Sequence, residues 1–440
     1  MYTLLVLADD LTGALDTAVK FAQRGIPVQV LVRWKGPGIT GETEKAGPPG
    51  APLPDEGVLV INTNTRHSPA EAARSTVMRV LERYAAVPYV YKKTDSTLRG
   101  NIGAELEALV LGRKLRVLPF VPAYPDLGRH TRGGRQYLDS VPIDQTAMAK
   151  DALNPIRRSF IPGIIAEETA LPVRLIPGGP AGAGAGPEIW IYDAEKNADL
   201  REIARTLEEQ GLLAAAAGCA GFAESLADRI PFGNGQPGGK TPVKPVSSPK
   251  KALPPGGNTL PVLVVSGSRH PASLAQTEAA LKAGIPGAAV DGDKLLNPRW
   301  FEGEEAASLI SRCGELLDTG CCILGTGMSL GRTPPGKETK PVSGAGTEGW
   351  GAAGFLGRLA GPILRRRPAH LVVFGGDTLL GVTEFLGCPL LNPIDEILPG
   401  IVLAGTPAGQ LIVTKSGAFG GPGLIAAILE FFRNLPVDAA

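Results

Sequence analysis

An α/β protein of two domains, each a largely parallel sheet flanked by helices with the active site in the interdomain cleft, is what the sequence predicts. Three observations lead there. Short apolar runs recur along the chain, and each breaks off into a polar or glycine-rich turn before a helical pattern begins. The runs are roughly four to six residues long, as in buried parallel strands. The 440 residues, 43% hydrophobic, suffice for two cores, and a Gly/Pro-rich stretch at 231–258 divides them. The expected domains are therefore 1–230 and 259–440, with 231–258 as linker.

The first run, YTLLVLADD, ends in Asp9 and Asp10. Adjacent carboxylates repel and raise each other's proton affinity, so they make a poor end for a merely structural strand. Leu11, Leu15, Ala18 and Ala22 then keep a helical face until Gly25, and capping of a helix over 12–24 by Asp10 or Thr12 is the plain alternative role. VLVINTNTR, YVYKKTDSTLRG and VLPFVPAYP are the next runs, and Ser68-Pro69-Ala70-Glu71 reads as a capping box with proline at the first helical position.

Ligands of parallel α/β sheets bind beyond the carboxyl ends of the strands, which is where Asp9, Asp10, Arg66, Lys93, Asp95 and Ser96 fall. KKTDSTLRGN, residues 92–101, sets Lys93 and Arg99 beside a helix N-terminus, a place for a small carboxylate or phosphate. Arg66 offers a planar fork for a bidentate carboxylate contact. Cations for an anionic substrate and carboxylates for hydroxyl protons outline a sugar-acid site. An aspartate there acts as general base or orients the hydroxyl in a loose phosphoryl-transfer transition state.

In the second half, VLVVSGSRH, LVVFGGDT and QLIVTKSGAFGG carry glycine-bearing turns at 266–271, 375–378 and 415–421. Glycine lets the backbone approach phosphate oxygens, and a following helix N-terminus favours their charge. Asp377 can meet phosphate-bound Mg²⁺, and Lys415 can offset phosphate charge. GNGQPGGKT and GRTPPGKE both fail the Walker A pattern, and no GxGxxG opens a helix directly after a strand. A sugar-acid dehydrogenase is thereby disfavoured.

Charge is balanced, 44 Lys plus Arg against 43 Asp plus Glu, which gives no electrostatic reason to expect nucleic acid or a membrane surface as partner. The five cysteines and four histidines are too scattered for a disulfide framework or a His-based metal site. No basic leader segment or membrane-length apolar run is present, so a cytoplasmic location is expected.

The chain resembles the four-carbon acid sugar kinases. The matching segments are ADDLTGALDTA, the arginine of NTNTR, KTDSTLRGN, PAYPDLGRHTRGGRQYLDSVPIDQT, SGSRHPASLAQ, GGDT and PGIVLAGTPAGQLIVTKSGAFG. They occur in family order over nearly the whole length. The resemblance implies that 1–230 is a sugar-acid substrate-binding domain and 259–440 a nucleotide-binding domain, in an ATP-dependent kinase of threonate, erythronate or a 3-oxo-tetronate that forms the 4-phosphate. Asp9, Asp10 and Lys93 are then expected to carry the chemistry, with Arg66, Thr94, Asp95, Ser96 and Arg99 on the substrate. Ser266, Ser268, His270, Gly375, Gly376, Asp377, Thr378, Lys415, Gly417 and Gly420 are expected on ATP, with Mg²⁺ held through its phosphates. The expected partners are the sugar acid and ATP, and a homo-oligomer is compatible with this reading. Two positions depart from the family pattern: His270 stands where members read serine, and Ala418 where they read asparagine. They motivate the alternative of a non-catalytic sugar-acid and nucleotide sensor.

Overall fold

The structure, a computed structural model, describes residues 2–36, 57–150, 155–176, 182, 186–232, 260–327, 330, 351–415 and 419–434. Two compact units divide the chain, Met1–Pro245 and Val246–Ala440. Of the expected linker, residues 233–258 lie outside the described residues, as does Gly417, which was expected on ATP.

The first unit begins with β1 (Leu4–Ala8), α1 (Leu11–Ala22), β2 (Val28–Leu31), β3 (Val58–Asn62), α2 (Ala70–Arg83), β4 (Tyr89–Lys93), α3 (Ile102–Gly112) and β5 (Val117–Val121). An antiparallel meander follows, β6 (Arg129–Arg132), β7 (Arg135–Leu138) and β8 (Val141–Pro142). The unit closes with α4 (Ile161–Ile165), β9 (Val173–Ile176), β10 (Glu188–Tyr192), α5 (Asn197–Glu209), β11 (Ala215–Gly218) and α6 (Ala220–Ala227). Its main sheet runs β2-β3-β1-β4-β11-β5-β10-β9, with every pairing parallel. All five residues of β1 are buried, as a strand covered on both faces requires.

From β1 the chain crosses to β2 in one direction, whereas from β4 it crosses to β5 in the other. Because such crossovers are right-handed, α1 and α3 leave on opposite faces. The carboxyl ends of β1 and β4 thus flank a switch point, where open parallel sheets bind ligands.

The second unit contains β12 (Val262–Ser266), α7 (Pro271–Lys282), β13 (Gly287–Val290), α8 (Gly292–Leu295), α9 (Glu304–Leu317), β14 (Cys321–Thr326), α10 (Ala352–Leu356), α11 (Ala360–Arg366), β15 (His370–Phe374) and α12 (Gly376–Phe385). It ends with β16 (Leu390–Leu398), β17 (Ile401–Gly405), β18 (Leu411–Lys415) and α13 (Leu424–Arg433). The sheet runs β13-β14-β12-β15-β18-β17-β16, parallel as far as β18 and antiparallel beyond it. Its first four strands repeat the order of the first unit, second, third, first, fourth. A second switch point therefore falls between β12 and β15.

Two local expectations are corrected. α2 starts at Ala70 with Pro69 at the cap and no side-chain cap bond, so the capping box does not form. Glu71 pairs with Arg74 instead, and the Ser68 carbonyl accepts from Asn101 Nδ2 at 2.9 Å. The first helix covers 11–22 rather than 12–24, and Gly25 follows it with a φ of 72°. No helix among the described residues is long and apolar enough to cross a membrane.

Candidate active site

Register brings the first cluster together. β1 and β3 pair Ala8 with Asn62, so the chain leaving β3 runs beside Asp9, whose carbonyl accepts from the backbone N–H groups of Thr65 (3.1 Å) and Arg66 (3.3 Å). The Arg66 guanidinium then spans both acids. Nε and Nη2 donate to Asp9 Oδ2 and Oδ1 at 2.7 and 2.9 Å, while Nη1 and Nη2 donate to Asp10 Oδ2 and Oδ1, each at 2.8 Å. One shared cation is what lets two adjacent carboxylates end this strand.

Asp10 has a second task. It caps α1, accepting from Gly13 N at 2.9 Å and Thr12 Oγ1 at 2.6 Å. A Cβ on Gly13 would stand 2.5 Å from Asp10 Oδ1 and 3.1 Å from Lys93 Nζ, so this turn of helix has to be glycine for carboxylate and amine to close over it. Capping and site membership are therefore not alternatives. Asp9 is 2% exposed and Asp10 is half-buried. Burial pushes the Asp9 carboxyl up, but Arg66, Lys92 and Lys93 outweigh burial and hold it below its ordinary value. The same acids raise Arg66 well above its usual value against the opposing effect of burial.

The fork of Arg66, expected to grip a substrate carboxylate, is thus already committed to Asp9 and Asp10. Arg99 is committed as well: Nε and Nη2 donate to Asp95 Oδ2 and Oδ1 at 2.9 and 3.0 Å. Asp95 also accepts from Thr97 Oγ1 (2.5 Å) and from the backbone N–H of Thr97 and Arg99. Although burial opposes it, these cations and hydrogen bonds hold the Asp95 carboxyl well below the carboxylate range. Asp95 shapes the 94–99 loop from within. Lys93 Nζ donates to Thr94 O at 2.7 Å, and the Thr94 hydroxyl is buried with no hydrogen-bond partner. Ser96, half-buried, offers its carbonyl to Gln136 Nε2 at 3.0 Å.

Sequence reasoning missed the layer beneath. Lys92, fully buried, meets Glu105 at 2.9 Å, and Glu105 accepts from Thr65 Oγ1, the residue that precedes Arg66. Burial dominates at Glu105 and pushes its carboxyl up despite Lys92. A lysine inside an apolar strand and a glutamate inside IGAELEALVLG were the available signals.

The second cluster lies at the β12/β15 switch point. Gly375 caps α12 with a φ of 106°, a backbone glycine adopts readily, and a Cβ there would stand 3.4 Å from both Ser268 Cβ and Thr378 Oγ1. The side-chain hydroxyls of Ser266 and Thr378 are buried without a hydrogen-bond partner. Such groups are costly unless a ligand satisfies them. Gly376 is half-buried and Asp377 exposed in the first turn of α12, where the free N–H groups favour anions. His270 Nδ1 accepts from Ala272 N at 3.2 Å and caps α7, a task serine would share.

Lys415 lies inside the unit. Its Nζ donates to Ser273 Oγ (2.7 Å) and Gln276 Oε1 (2.6 Å), stands 4.6 Å above the Phe374 ring, and burial lowers its value to about 7. Gln276 in turn donates to the carbonyls of Phe419 (2.9 Å) and Gly420 (2.7 Å). Among the described residues no group of three or more His, Cys, Asp or Glu is placed to hold a metal.

Residues 4–226 match the sugar-binding N-terminal domain family, and residues 263–425 match the nucleotide-binding C-terminal domain family. The chain is 31% identical to a D-threonate kinase of Bordetella bronchiseptica, over 98% of this chain and 97% of that one. It is 28% identical to a D-threonate kinase of Salmonella typhimurium (98% and 99% covered) and 25% identical to a D-erythronate kinase of Heliobacterium modesticaldum (98% and 97%). The fold is similar to crystal structures of a Salmonella typhimurium LT2 protein (TM-score 0.70, 21% identity, 97% and 98% covered) and a Haemophilus influenzae protein (TM-score 0.64, 18% identity, 98% and 99%).

Proposed function

The chain belongs to the four-carbon acid sugar kinase family, and from that membership we propose that it transfers the terminal phosphoryl group of ATP to the 4-hydroxyl of a four-carbon sugar acid. The observation that carries the reading is the pair Asp9 and Asp10, bridged by Arg66 at the end of β1 with Lys93 beside them. Asp10, the more exposed acid, meets the substrate hydroxyl. Asp9, fully engaged by Arg66 and nearly buried, fixes the guanidinium that orients Asp10.

The hydroxyl oxygen forms the new bond to the γ-phosphorus as the bond to the β-phosphate bridging oxygen breaks. ADP departs, and the hydroxyl proton passes to Asp10. In a loose transition state little nucleophilic push is needed, so a weakly basic carboxylate suffices if it is well placed. Lys93 offsets the charge of the moving phosphoryl group.

On the nucleotide side, Thr378 and Ser266 contribute hydroxyls that lack internal partners, and the start of α12 contributes backbone N–H groups. Asp377, an exposed carboxylate in the first turn of α12, is the protein oxygen that would help hold a phosphate-bound Mg²⁺. When bound, the ion supplies charge neutralisation at the phosphates. The cap that His270 provides preserves the α7 N-terminus, so that departure gives no support to the sensor reading.

The test is ADP release from Mg²⁺-ATP over a panel of threonate, erythronate and 3-oxo-tetronate isomers. Release that depends on one of these acids is expected. None with any acid, or equal release without acid, overturns the reading.

A further inference from the structure

Asn101 stands at the start of α3, where asparagine ordinarily accepts from the helix's own backbone N–H groups. Here its side chain makes no such bond. Glu168, just past α4, does that work by accepting from Ala104 N at 3.1 Å. A Cβ on Gly103 would stand 2.5 Å from Ile165 O, so glycine is what lets the 165–168 segment come this close. The Asn101 amide is thereby left for another partner.

That partner is the turn that carries Arg66. Asn101 Nδ2 donates to Thr65 O at 2.8 Å and to Ser68 O at 2.9 Å, one carbonyl on either side of Arg66 and His67. Two acceptors use both protons of the amide, and the residue is buried. Ser68 N closes the turn onto the same Thr65 carbonyl at 3.0 Å. From the next turn of α3, Glu105 accepts from Thr65 Oγ1. The Gly100 backbone, at a φ of 90°, lies against the ion pair itself: a Cβ there would stand 3.3 Å from Asp9 Oδ2 and 3.4 Å from Arg66 Cγ. Gly100, Asn101 and Glu105 thus fix where the Arg66 backbone lies, whereas its own N–H has only a 3.3 Å bond to Asp9 O.

The guanidinium has to meet four carboxylate oxygens at 2.7 to 2.9 Å at once. A shift of the turn by about 1 Å takes at least one of those contacts beyond hydrogen-bond length and lets the Asp10 carboxylate turn. Misplacement of that size costs about 100-fold in rate. We propose that Asn101 is the positioning residue of the Arg66 and Asp10 pair: its amide holds the 65–68 turn, so that Arg66 keeps Asp10 facing the substrate hydroxyl. This rests on the kinase reading above and adds to it a residue that acts at one remove from the reacting atoms.

The experiment combines kinetics with double substitutions. Asn101→Ser can still cap α3 but is too short to reach both carbonyls. Measured well below its melting temperature, it is expected to lower kcat by about 10- to 100-fold while KM for ATP stays at the wild-type value. In an Asp10→Asn background the same substitution is expected to change kcat by less than about 2-fold, because the carboxylate it directs is gone. Wild-type kcat in Asn101→Ser, or the same fold loss in both backgrounds, overturns the proposal. Asn101→Asp keeps the shape and the capping oxygen but donates nothing; should the serine variant not fold, wild-type kcat in this one overturns the proposal as well. Urea unfolding of Asn101→Ser, Arg66→Met and the double variant needs no turnover, and the double variant is expected to lose less than the sum of the single losses. A wild type without turnover beside such coupled losses overturns the kinase reading alone. Turnover by the wild type with additive losses overturns this proposal alone, and additive losses without turnover overturn both.

Discussion

Arg66 grips both oxygens of Asp9 across 57 residues of sequence, through Nε at 2.7 Å and Nη2 at 2.9 Å, in a setting where both side chains are more than nine-tenths buried. Removing one partner of such a pair leaves an uncompensated buried charge. Arg66→Met is therefore expected to cost about 3–5 kcal/mol of stability in the first unit. Urea unfolding of the variant against the wild type measures it, and a loss under about 1 kcal/mol would contradict the central role given to the guanidinium.

Asp10→Asn separates capping from chemistry. The amide oxygen of asparagine still accepts from Gly13 N, so α1 should keep its cap, whereas the amide nitrogen cannot accept from Arg66 Nη1 and the melting temperature should fall, by less than for Arg66→Met. Charge at the substrate hydroxyl is lost, and turnover should fall by at least about 100-fold. Steady-state kinetics beside a thermal melt reads both, and near wild-type turnover would move the role to Asp9.

Thr378→Val tests the buried hydroxyl beside Gly375. Without nucleotide the substitution removes an unsatisfied group, and stability should hold or rise by up to about 1 kcal/mol. The thermal shift caused by saturating ATP should shrink. A variant that loses apo stability but keeps the full ATP shift would place Thr378 in the core and outside the nucleotide site.

Lys415 links stability of the second unit to pH. Burial lowers it from 10.5 to about 7, so between those values the unfolded chain binds a proton that the folded chain does not. Stability contributed at this position accordingly rises with pH across that interval, by up to about 1.4 kcal/mol per unit, and is flat below pH 7. The difference between wild type and Lys415→Met in denaturant unfolding should grow in favour of wild type from pH 7 to 9. A pH-independent difference would mean that the amine is charged in the fold throughout.

Much of this arrangement was legible in the sequence. The apolar runs that end in Asp9–Asp10, in Lys93 and in Ser266 mark strand ends because a parallel strand is buried on both faces up to its last residue. What Arg66 holds was not legible. Its partners depend on the register of β3 against β1, a nonlocal fact that changes a free fork into a clamp on the protein's own acids. The Lys92–Glu105 pair was hidden for a related reason: each residue looks like an isolated polar break in an apolar element until α3 packs over β4. The Ser68–Glu71 cap failed locally, because a one-residue shift of the helix start removed serine from the capping position.

The central claim is transfer to the terminal hydroxyl at the Asp10 site, and the product's carbon-13 spectrum tests it most directly. Carbon–phosphorus coupling at C4 and its neighbour C3, with C1 unchanged, is the predicted result. Coupling centred on C2, or on C1 as in an acyl phosphate, would contradict the placement of the hydroxyl at Asp10 and of the carboxylate away from it.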